Sequence, residues 1–242
     1  MSSLLVDLDD SVLRLTMNRP ERSNALTTDM LVRLLEAVGT ARSRGARAIL
    51  LTGAGRNFCS GAETGLVASD ADREEFVKRS WEALAAIADA PLPVVAALNG
   101  PAVAGGVEIA LSCDLRIAHS SAYLRPRGLD WGAVTCSRMS RYLPIGLTTQ
   151  LVWLQQKLPA ADALRWGMVT EVTESQDELM RNAMALAQRL SSYPTDAVLR
   201  SRALLRNLTD SWQRMIELQA SATDTGWSAD IEASRDAIRK AR

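Results

Sequence analysis

The stretch NGPAVAGGVEIALSCDLRIA, residues 99–118, joins a glycine-rich turn to an apolar segment that contains a single carboxylate. Gly105 and Gly106 lead directly into this segment, and Glu108 occupies a position where a buried helix would carry an apolar residue. Burying an unpaired carboxylate is costly, so a glutamate at such a position is usually paired, exposed or functional. The stretch predicts a tight turn followed by a helix with one unusual carboxylate.

Apolar strands surround this stretch on both sides. Four segments are typical of strands: VLRLTM at 12–17, ARAILLTG at 46–53, LPVVAALNG at 92–100 and DLRIAHSSAYL at 114–124. Apolar residues at helical spacing predict helices over 26–44 and 72–88, and either Thr27 or Thr28 can cap the first of them. Strands bounded by glycine, with helices between them, indicate a sheet that is covered on both faces.

The last third of the chain is predicted to be helical. Pro159 opens a short helix that Gly167 closes, and further helices are predicted over 177–190, 195–207 and 209–223. The fold class is therefore α/β with a helical C-terminal region.

The composition excludes several classes of function. The 242 residues suffice for one large domain, and the 28 basic and 28 acidic residues cancel, which argues against nucleic acid or a membrane surface as partner. The N-terminus lacks the pattern of a signal peptide, and no apolar run approaches the roughly 20 residues that span a bilayer. Three widely spaced cysteines suit reduced thiols, so we expect a cytoplasmic protein. With a single histidine and no CxxC pair, we expect no metal site.

Two glycine-containing loops remain as candidates for chemistry. No phosphate-binding loop, dinucleotide fingerprint or GxSxG motif is present. CSGAE at 59–63 and AVAGGVE at 102–108 each lead toward a helix. Exposed N–H groups at such positions bind anions, and two that converge could hold the oxygen of an enolate. The alternative is that both loops are merely tight turns.

Four ordered segments, NRPERSNAL, FCSGAE, NGPAVAGGVEIALSCDLRIA and ADALRWGMVTEV, resemble the crotonase (enoyl-CoA hydratase/isomerase) superfamily, and the terminal EASRDAIRKAR resembles its closing helix. The resemblance implies a spiral of ββα turns that forms an acyl-CoA-binding core over residues 1–190. It implies a helical oligomerisation region over 191–242, and a homotrimer or homohexamer. It also implies an acyl-CoA substrate and no further cofactor, since CoA arrives as part of the substrate.

The resemblance assigns roles to three catalytic positions. The backbone N–H groups of Ala62 and Gly105 match the pair that holds the thioester oxygen in this family. Glu108 matches the first of two glutamates that act as acid and base. The alternative for Glu108 is an ordinary paired or solvent-facing glutamate at a helix start.

The second family glutamate is missing, because its position is taken by Gly128. Asp130, two residues further on, could substitute for it. Cys136 lies where some relatives place an acting aspartate, although a small packing cysteine is the favoured interpretation. Trp131 is expected to line or cover the acyl pocket, or else to lie at a subunit interface.

The resemblance places CoA across the loops that carry Arg22, Ala25, Ser60, Ala62 and Leu66. Arg22 is either a partner of the CoA phosphates or a solvated charge. Glu63 is expected to brace a loop rather than to take part in chemistry.

The leading hypothesis is an enoyl-CoA hydratase/isomerase-like enzyme that works through a thioester enolate with Glu108 as proton carrier. One carboxylate and a glycine are expected to hydrate an enoyl-CoA poorly. The alternatives are a non-catalytic acyl-CoA-binding protein and a specialised decarboxylase, hydrolase or dehalogenase of the same family.

Overall fold

The structure is a computed structural model that describes residues 2–63, 70–131 and 136–207. The predicted helix over 209–223 and the candidate Leu66 lie outside the described residues. None of the helices in the described ranges is long and apolar enough to cross a membrane.

Nine strands form two sheets in the described part of the chain. The larger sheet has the order β1-β2-β3-β4-β6-β9, with β1 (Leu4–Asp9), β2 (Val12–Met17), β3 (Ala48–Gly53), β4 (Val94–Leu98), β6 (Leu115–His119) and β9 (Glu171–Thr173). Only the edge pair β1 and β2 is antiparallel, and the other pairings in this sheet are parallel. The smaller sheet has the order β5-β7-β8, with β5 (Ala102–Val103), β7 (Tyr123–Arg125) and β8 (Leu158–Pro159).

Helices cover the strands and connect them. The α-helices are α1 (Thr28–Thr40), α2 (Asp70–Ala88), α3 (Gly105–Ser112), α4 (Ile145–Trp153), α5 (Ala160–Arg165), α6 (Gln176–Ser192) and α7 (Thr195–Asn207). Short 3-10 helices lie at Pro20–Arg22, Leu129–Trp131 and Ser137–Arg141. The first predicted helix is shorter than its periodicity suggested, because the side chain of Thr27 caps the N–H of Met30 at 3.1 Å and fixes the start.

Alternate residues of the central strands are buried on opposite faces of the larger sheet. On one face, strand residues such as Ala48, Leu50 and Val95 pack with Leu179 and Ala183 of α6. On the other face, the neighbouring strand residues belong to a larger cluster with the apolar side of α1, and its members include Leu13, Leu15, Ile49, Leu51, Met30, Leu31 and Leu34. The prediction of an α/β sheet covered on both faces is confirmed, since strands buried twice must be apolar throughout.

Two strand expectations need correction. The segment predicted as one strand over 114–124 is two strands, β6 and β7, which belong to different sheets. A turn separates them, closed by a hydrogen bond from the N–H of Ala122 to the carbonyl of His119 at 2.8 Å. The edge strand β1 was not anticipated, and its outer residues are partly exposed, so its pattern is less apolar than that of the central strands.

The loops after β3 and β4 are held together at the carboxyl end of the sheet. The Asn99 side chain accepts the N–H of Gly53 at 3.1 Å and donates to the carbonyls of Gly55 and Asn57 at 2.9 and 3.1 Å. A Cβ on Gly100 would lie 1.9 Å from the Arg56 carbonyl oxygen. The two loops therefore touch backbone to backbone, which brings the two glycine-containing segments side by side.

The contact at Gly100 predicts the effect of adding one methyl group. Gly100→Ala should destabilise the protein by about 1–3 kcal/mol or more, because its Cβ meets backbone that cannot move aside. The matched control is Gly39→Ala at an exposed position of α1, where a Cβ would have nothing within 4 Å. That change should stabilise by about 0.5–1 kcal/mol through helix propensity. Urea unfolding measures both, and equal midpoints for the two variants would contradict the contact.

Candidate active site

The loop that carries Ala62 pairs with the segment before α1. Leu26 donates its N–H to the Gly61 carbonyl at 2.8 Å and accepts the N–H of Glu63 at 3.0 Å, which makes a single parallel bridge between Leu26 and Ala62. In this pattern the N–H of Ala62 points away from Leu26. Within the described part of the chain, it takes part in no hydrogen bond.

Gly105 begins α3 and meets the Ala62 loop at Gly61. A Cβ on Gly61 would lie 3.2 Å from the Gly105 nitrogen and 2.9 Å from the Ala104 Cβ. Gly105 is the first residue of α3, so its N–H has no acceptor within the helix. Ala104 just before it has φ 48° and ψ −115°, a strained conformation for a residue with a side chain. The two loops thus bring the neighbourhoods of both predicted N–H donors into contact.

Glu108 lies one turn into α3 and forms a buried ion pair. Its Oε2 accepts Nη1 of Arg138 at 2.5 Å, and its Oε1 accepts the backbone N–H of Cys136 at 2.5 Å. The side chains of Glu108 and Arg138 are only 3% and 2% exposed. The sequence left open whether Glu108 is paired, exposed or functional. The structure shows that it is paired, and a paired glutamate can still act in chemistry.

A second buried arginine, Arg116, caps the C-terminal end of α3. Arg116 donates from Nη1 to the carbonyls of Ala110 and Cys113 at 3.2 and 2.7 Å, and from Nε to the carbonyl of Met168 at 2.5 Å. A cation at the C-terminal carbonyls complements the dipole of the helix. The helix that carries both Gly105 and Glu108 is therefore anchored at both ends.

Cys136 links this helix to the following 3-10 helix. It has a left-handed conformation with φ 67°, its N–H binds Glu108, and its Sγ donates to the Ala104 carbonyl at 3.6 Å. It is fully buried, which suits the packing interpretation. Burial raises the pKa of Cys59 and of Cys113 to about 12, so those two thiols are protonated at neutral pH.

The loop that would carry a second glutamate has a different geometry. Gly128 has φ 142°, a conformation that side chains rarely adopt, and its N–H donates to Gln155 Oε1 at 3.3 Å. Asp130 contacts Arg127 at 3.1 Å rather than Glu108. Partial burial is the largest single influence and raises the pKa of Asp130, but hydrogen bonds from Arg127, from the backbone and from Gln155 together outweigh it, so the pKa lies below that of an ordinary aspartate. Asp130 is consequently ionised at neutral pH and poorly suited to donate a proton.

The candidate CoA-side residues surround an ion pair that the sequence did not reveal. Arg19 donates to both oxygens of Glu63, at 3.0 and 2.9 Å, and to the Ala25 carbonyl at 2.9 Å. Arg22 is 69% exposed and lies 3.8 Å from the same carboxylate. The N–H of Ser60 donates to the carbonyl of Ser23 at 3.1 Å. These contacts join the segment around residues 19–25 to the loop over 59–63.

Two arginines are the residues that sequence reasoning missed. Arg19 lies in the NRPER segment, where its charge opposite the acidic CSGAE loop was an available signal. Arg138 carried no local signal, because its partner Glu108 is 30 residues away in sequence. The side chain of Trp131 lies outside the described residues, so its expected place at the acyl pocket stays a prediction.

An α/β fold in which two glycine-containing loops meet at the start of a helix with a buried glutamate fits a crotonase-type protein. The enoyl-CoA hydratase/isomerase family model matches residues 7–239, and the chain belongs to that family.

Individual relatives agree with this assignment. The chain is 31% identical over 216 residues to a probable enoyl-CoA hydratase of Mycobacterium tuberculosis, covering 86% of each protein. It is 32% identical to a short-chain-enoyl-CoA hydratase of Clostridium acetobutylicum, covering 86% of this chain and 83% of that protein. A solved enoyl-CoA hydratase from Mycobacterium avium subsp. paratuberculosis superimposes with a TM-score of 0.85 at 28% identity, over 98% of both chains.

The buried pair predicts strong non-additivity between Glu108 and Arg138. Glu108→Gln and Arg138→Met should each destabilise by about 3–5 kcal/mol, because each leaves an uncompensated buried charge. The double variant should lose far less than the sum of the two, since no charge remains. Urea unfolding of all four proteins measures the coupling.

The exposed pair Asp29–Arg33 on α1 serves as the control for this cycle. Its side chains are 58% and 48% exposed, so Arg33→Met should change stability by no more than about 0.5 kcal/mol. Additive effects at Glu108 and Arg138 would contradict the buried ion pair.

Proposed function

We propose that the protein is an acyl-CoA enzyme that stabilises a thioester enolate with the N–H groups of Ala62 and Gly105 and uses Glu108 as proton carrier. The observation that carries this proposal is the close approach of Gly61, the neighbour of Ala62, to the backbone nitrogen of Gly105. The family assignment supports the substrate class, because enoyl-CoA hydratase relatives are named for acyl-CoA thioesters.

The chemistry follows from where negative charge develops. Removing a proton from the carbon beside a thioester carbonyl moves an electron pair onto the thioester oxygen. Preorganised N–H donors stabilise that oxygen by about 3–4 kcal/mol each, judged from other oxyanion holes. Glu108 lies three residues after Gly105 on the same helix, so the proton carrier and one donor belong to one rigid element.

Gly128 limits the reaction class. Hydration requires one group to activate water and another to deliver a proton to the α-carbon, whereas the described residues beside Gly105 offer one carboxylate, Glu108. We propose weak hydration, with reactions that need a single proton carrier, such as double-bond isomerisation, as the better candidates. Decarboxylase, hydrolase and dehalogenase chemistry of the same family are tested alongside them.

A second candidate function is acyl-CoA binding without turnover. It is favoured by the commitment of both Glu108 oxygens, one to Arg138 and one to the N–H of Cys136. A carboxylate held in this way can be a structural remnant that keeps the pocket in shape. The test below separates the two functions.

The assembly and setting are proposed on separate grounds. Large apolar side chains on and just after α4 are exposed, namely Ile145, Trp153 and Leu154 at 74%, 72% and 63%. Exposed apolar surface of this kind supports a homotrimer or homohexamer. Three free cysteines are consistent with the proposed cytoplasmic setting, and we propose no cofactor besides the CoA of the substrate.

Turnover should depend on Glu108 if the protein is an enzyme. Wild type is compared with the double variant Glu108→Gln/Arg138→Met, in which neither partner of the buried pair is left as an unpaired charge. Both proteins are incubated with enoyl-, malonyl- and aromatic-CoA thioesters. We expect product from wild type alone, with a loss of about 10²–10⁴-fold in the variant. Mass spectrometry with chromatographic separation detects addition, loss and isomerisation. Binding without product by both proteins would establish the carrier function instead.

The oxyanion donors can be tested at Ala62, which is exposed and whose N–H has no partner in the described structure. Ala62→Pro removes this donor, and we expect kcat to fall by about 10²–10³-fold. Ala62→Ser keeps the N–H and should retain kcat within about threefold, so it is the matched control. Circular dichroism checks that both variants are folded. Equal kcat in the Pro and Ser variants would rule out Ala62 as a donor.

A further inference from the structure

Arg138 is a buried charge that the proposed reaction does not yet use. It is the second residue of the 3-10 helix Ser137–Arg141 and donates from Nη1 to Glu108 Oε2 at 2.5 Å. Two residues earlier, the N–H of Cys136 donates to Glu108 Oε1. One short segment of chain thus holds both oxygens of the carboxylate.

We infer that Arg138 is a positioning residue for Glu108, which holds the carboxylate in one orientation so that Glu108 enters the reaction as a proton acceptor. The inference rests on the function proposed above. A guanidinium is always charged and planar, so its hydrogen bond to a carboxylate fixes geometry as well as charge. Burial strengthens the interaction, because little solvent screens it.

Among the described contacts of Glu108, Arg138 supplies the cation. The helix packs against α2, β5 and the 3-10 helix Ser137–Arg141. Strand β5 has no charged side chain, and the 3-10 helix brings Arg138 and a second cation, Arg141. On α2, the ion pairs of Arg79 are made within the helix, to Glu75 and Glu82. The thiol of Cys136 is directed to the Ala104 carbonyl instead of the carboxylate.

The proposed proton transfer to Glu108 balances in bonds and in charge. The C–H bond beside the thioester carbonyl breaks, its proton goes to the Glu108 carboxylate, and its electron pair becomes the enolate held by the N–H groups. One negative charge leaves Glu108 and one appears on the thioester oxygen, so the site containing Arg138 has the same net charge before and after. Arg138 touches neither the proton nor the substrate in this step, and its role is positioning.

Kinetics of two variants test the inference on whichever thioester the wild type converts. Arg138→Met should lower kcat by about 100-fold while KM stays within about threefold. Arg138→Lys keeps the charge and should recover at least about tenfold of that loss. A Lys variant no better than the Met variant would overturn the inference, because a role in packing alone would not distinguish charge.

Infrared difference spectroscopy supplies a readout that needs no turnover. The carboxylate stretching bands of Glu108, identified by their absence from Glu108→Gln/Arg138→Met, should differ between wild type and Arg138→Met, because the guanidinium fixes the geometry of the carboxylate. Unchanged bands in the Met variant would overturn the inference. If wild type converts no thioester, the proposed function fails while these spectra still decide the role of Arg138. If the Met variant does not fold, Arg138→Gln replaces it, because its amide can donate a hydrogen bond without charge.

Discussion

The loops at the carboxyl end of the sheet pack backbone against backbone. At their contacts there is no room for a side chain, and this constraint determines how the loops are arranged. A Cβ on Gly100 would lie 1.9 Å from a carbonyl oxygen of the neighbouring loop, and one on Gly106 would lie 2.3 Å from the Cys59 carbonyl. Gly61 and Gly105 meet in the same way. Parallel strands end at a common edge, so their loops converge there, and glycine lets main-chain N–H groups come together. The candidate site is for this reason built mainly from backbone.

Two ion pairs hold the loops around that backbone. Arg19 donates to both oxygens of Glu63, near the residues proposed to bind CoA, and Arg138 pairs with Glu108 in the core. Buried pairs of this kind add little net stability compared with well-packed apolar residues, but losing one partner is severely destabilising. Their contribution is therefore to hold particular loop positions.

The sequence predicted the parts of this molecule that depend on local patterns. Apolar runs bounded by glycine located the central strands, and helical spacing located α1, α2 and α6, because burial on one or two faces leaves a direct trace in residue order. The short edge strand β1 and the turn that splits β6 from β7 were missed, since neither has such a trace. The pairing of Glu108 was left open for the same reason. It depends on a left-handed turn at Cys136 that brings Arg138 back to a helix 30 residues earlier.

The glycine at 128 and the arginine at 138 are best understood together. A second carboxylate at position 128 would require a backbone other than one with φ 142°, so the loop is shaped for glycine and not merely lacking an acid. The carboxylate of Glu108 and the guanidinium of Arg138 compensate each other before substrate binds. In the proposed reaction the negative charge only moves from Glu108 to the thioester oxygen, and no uncompensated charge is created in a medium of low dielectric. Hydration, by contrast, requires one group to activate water and another to deliver a proton. The proposed reaction is therefore one that a single fixed carboxylate, Glu108, can complete.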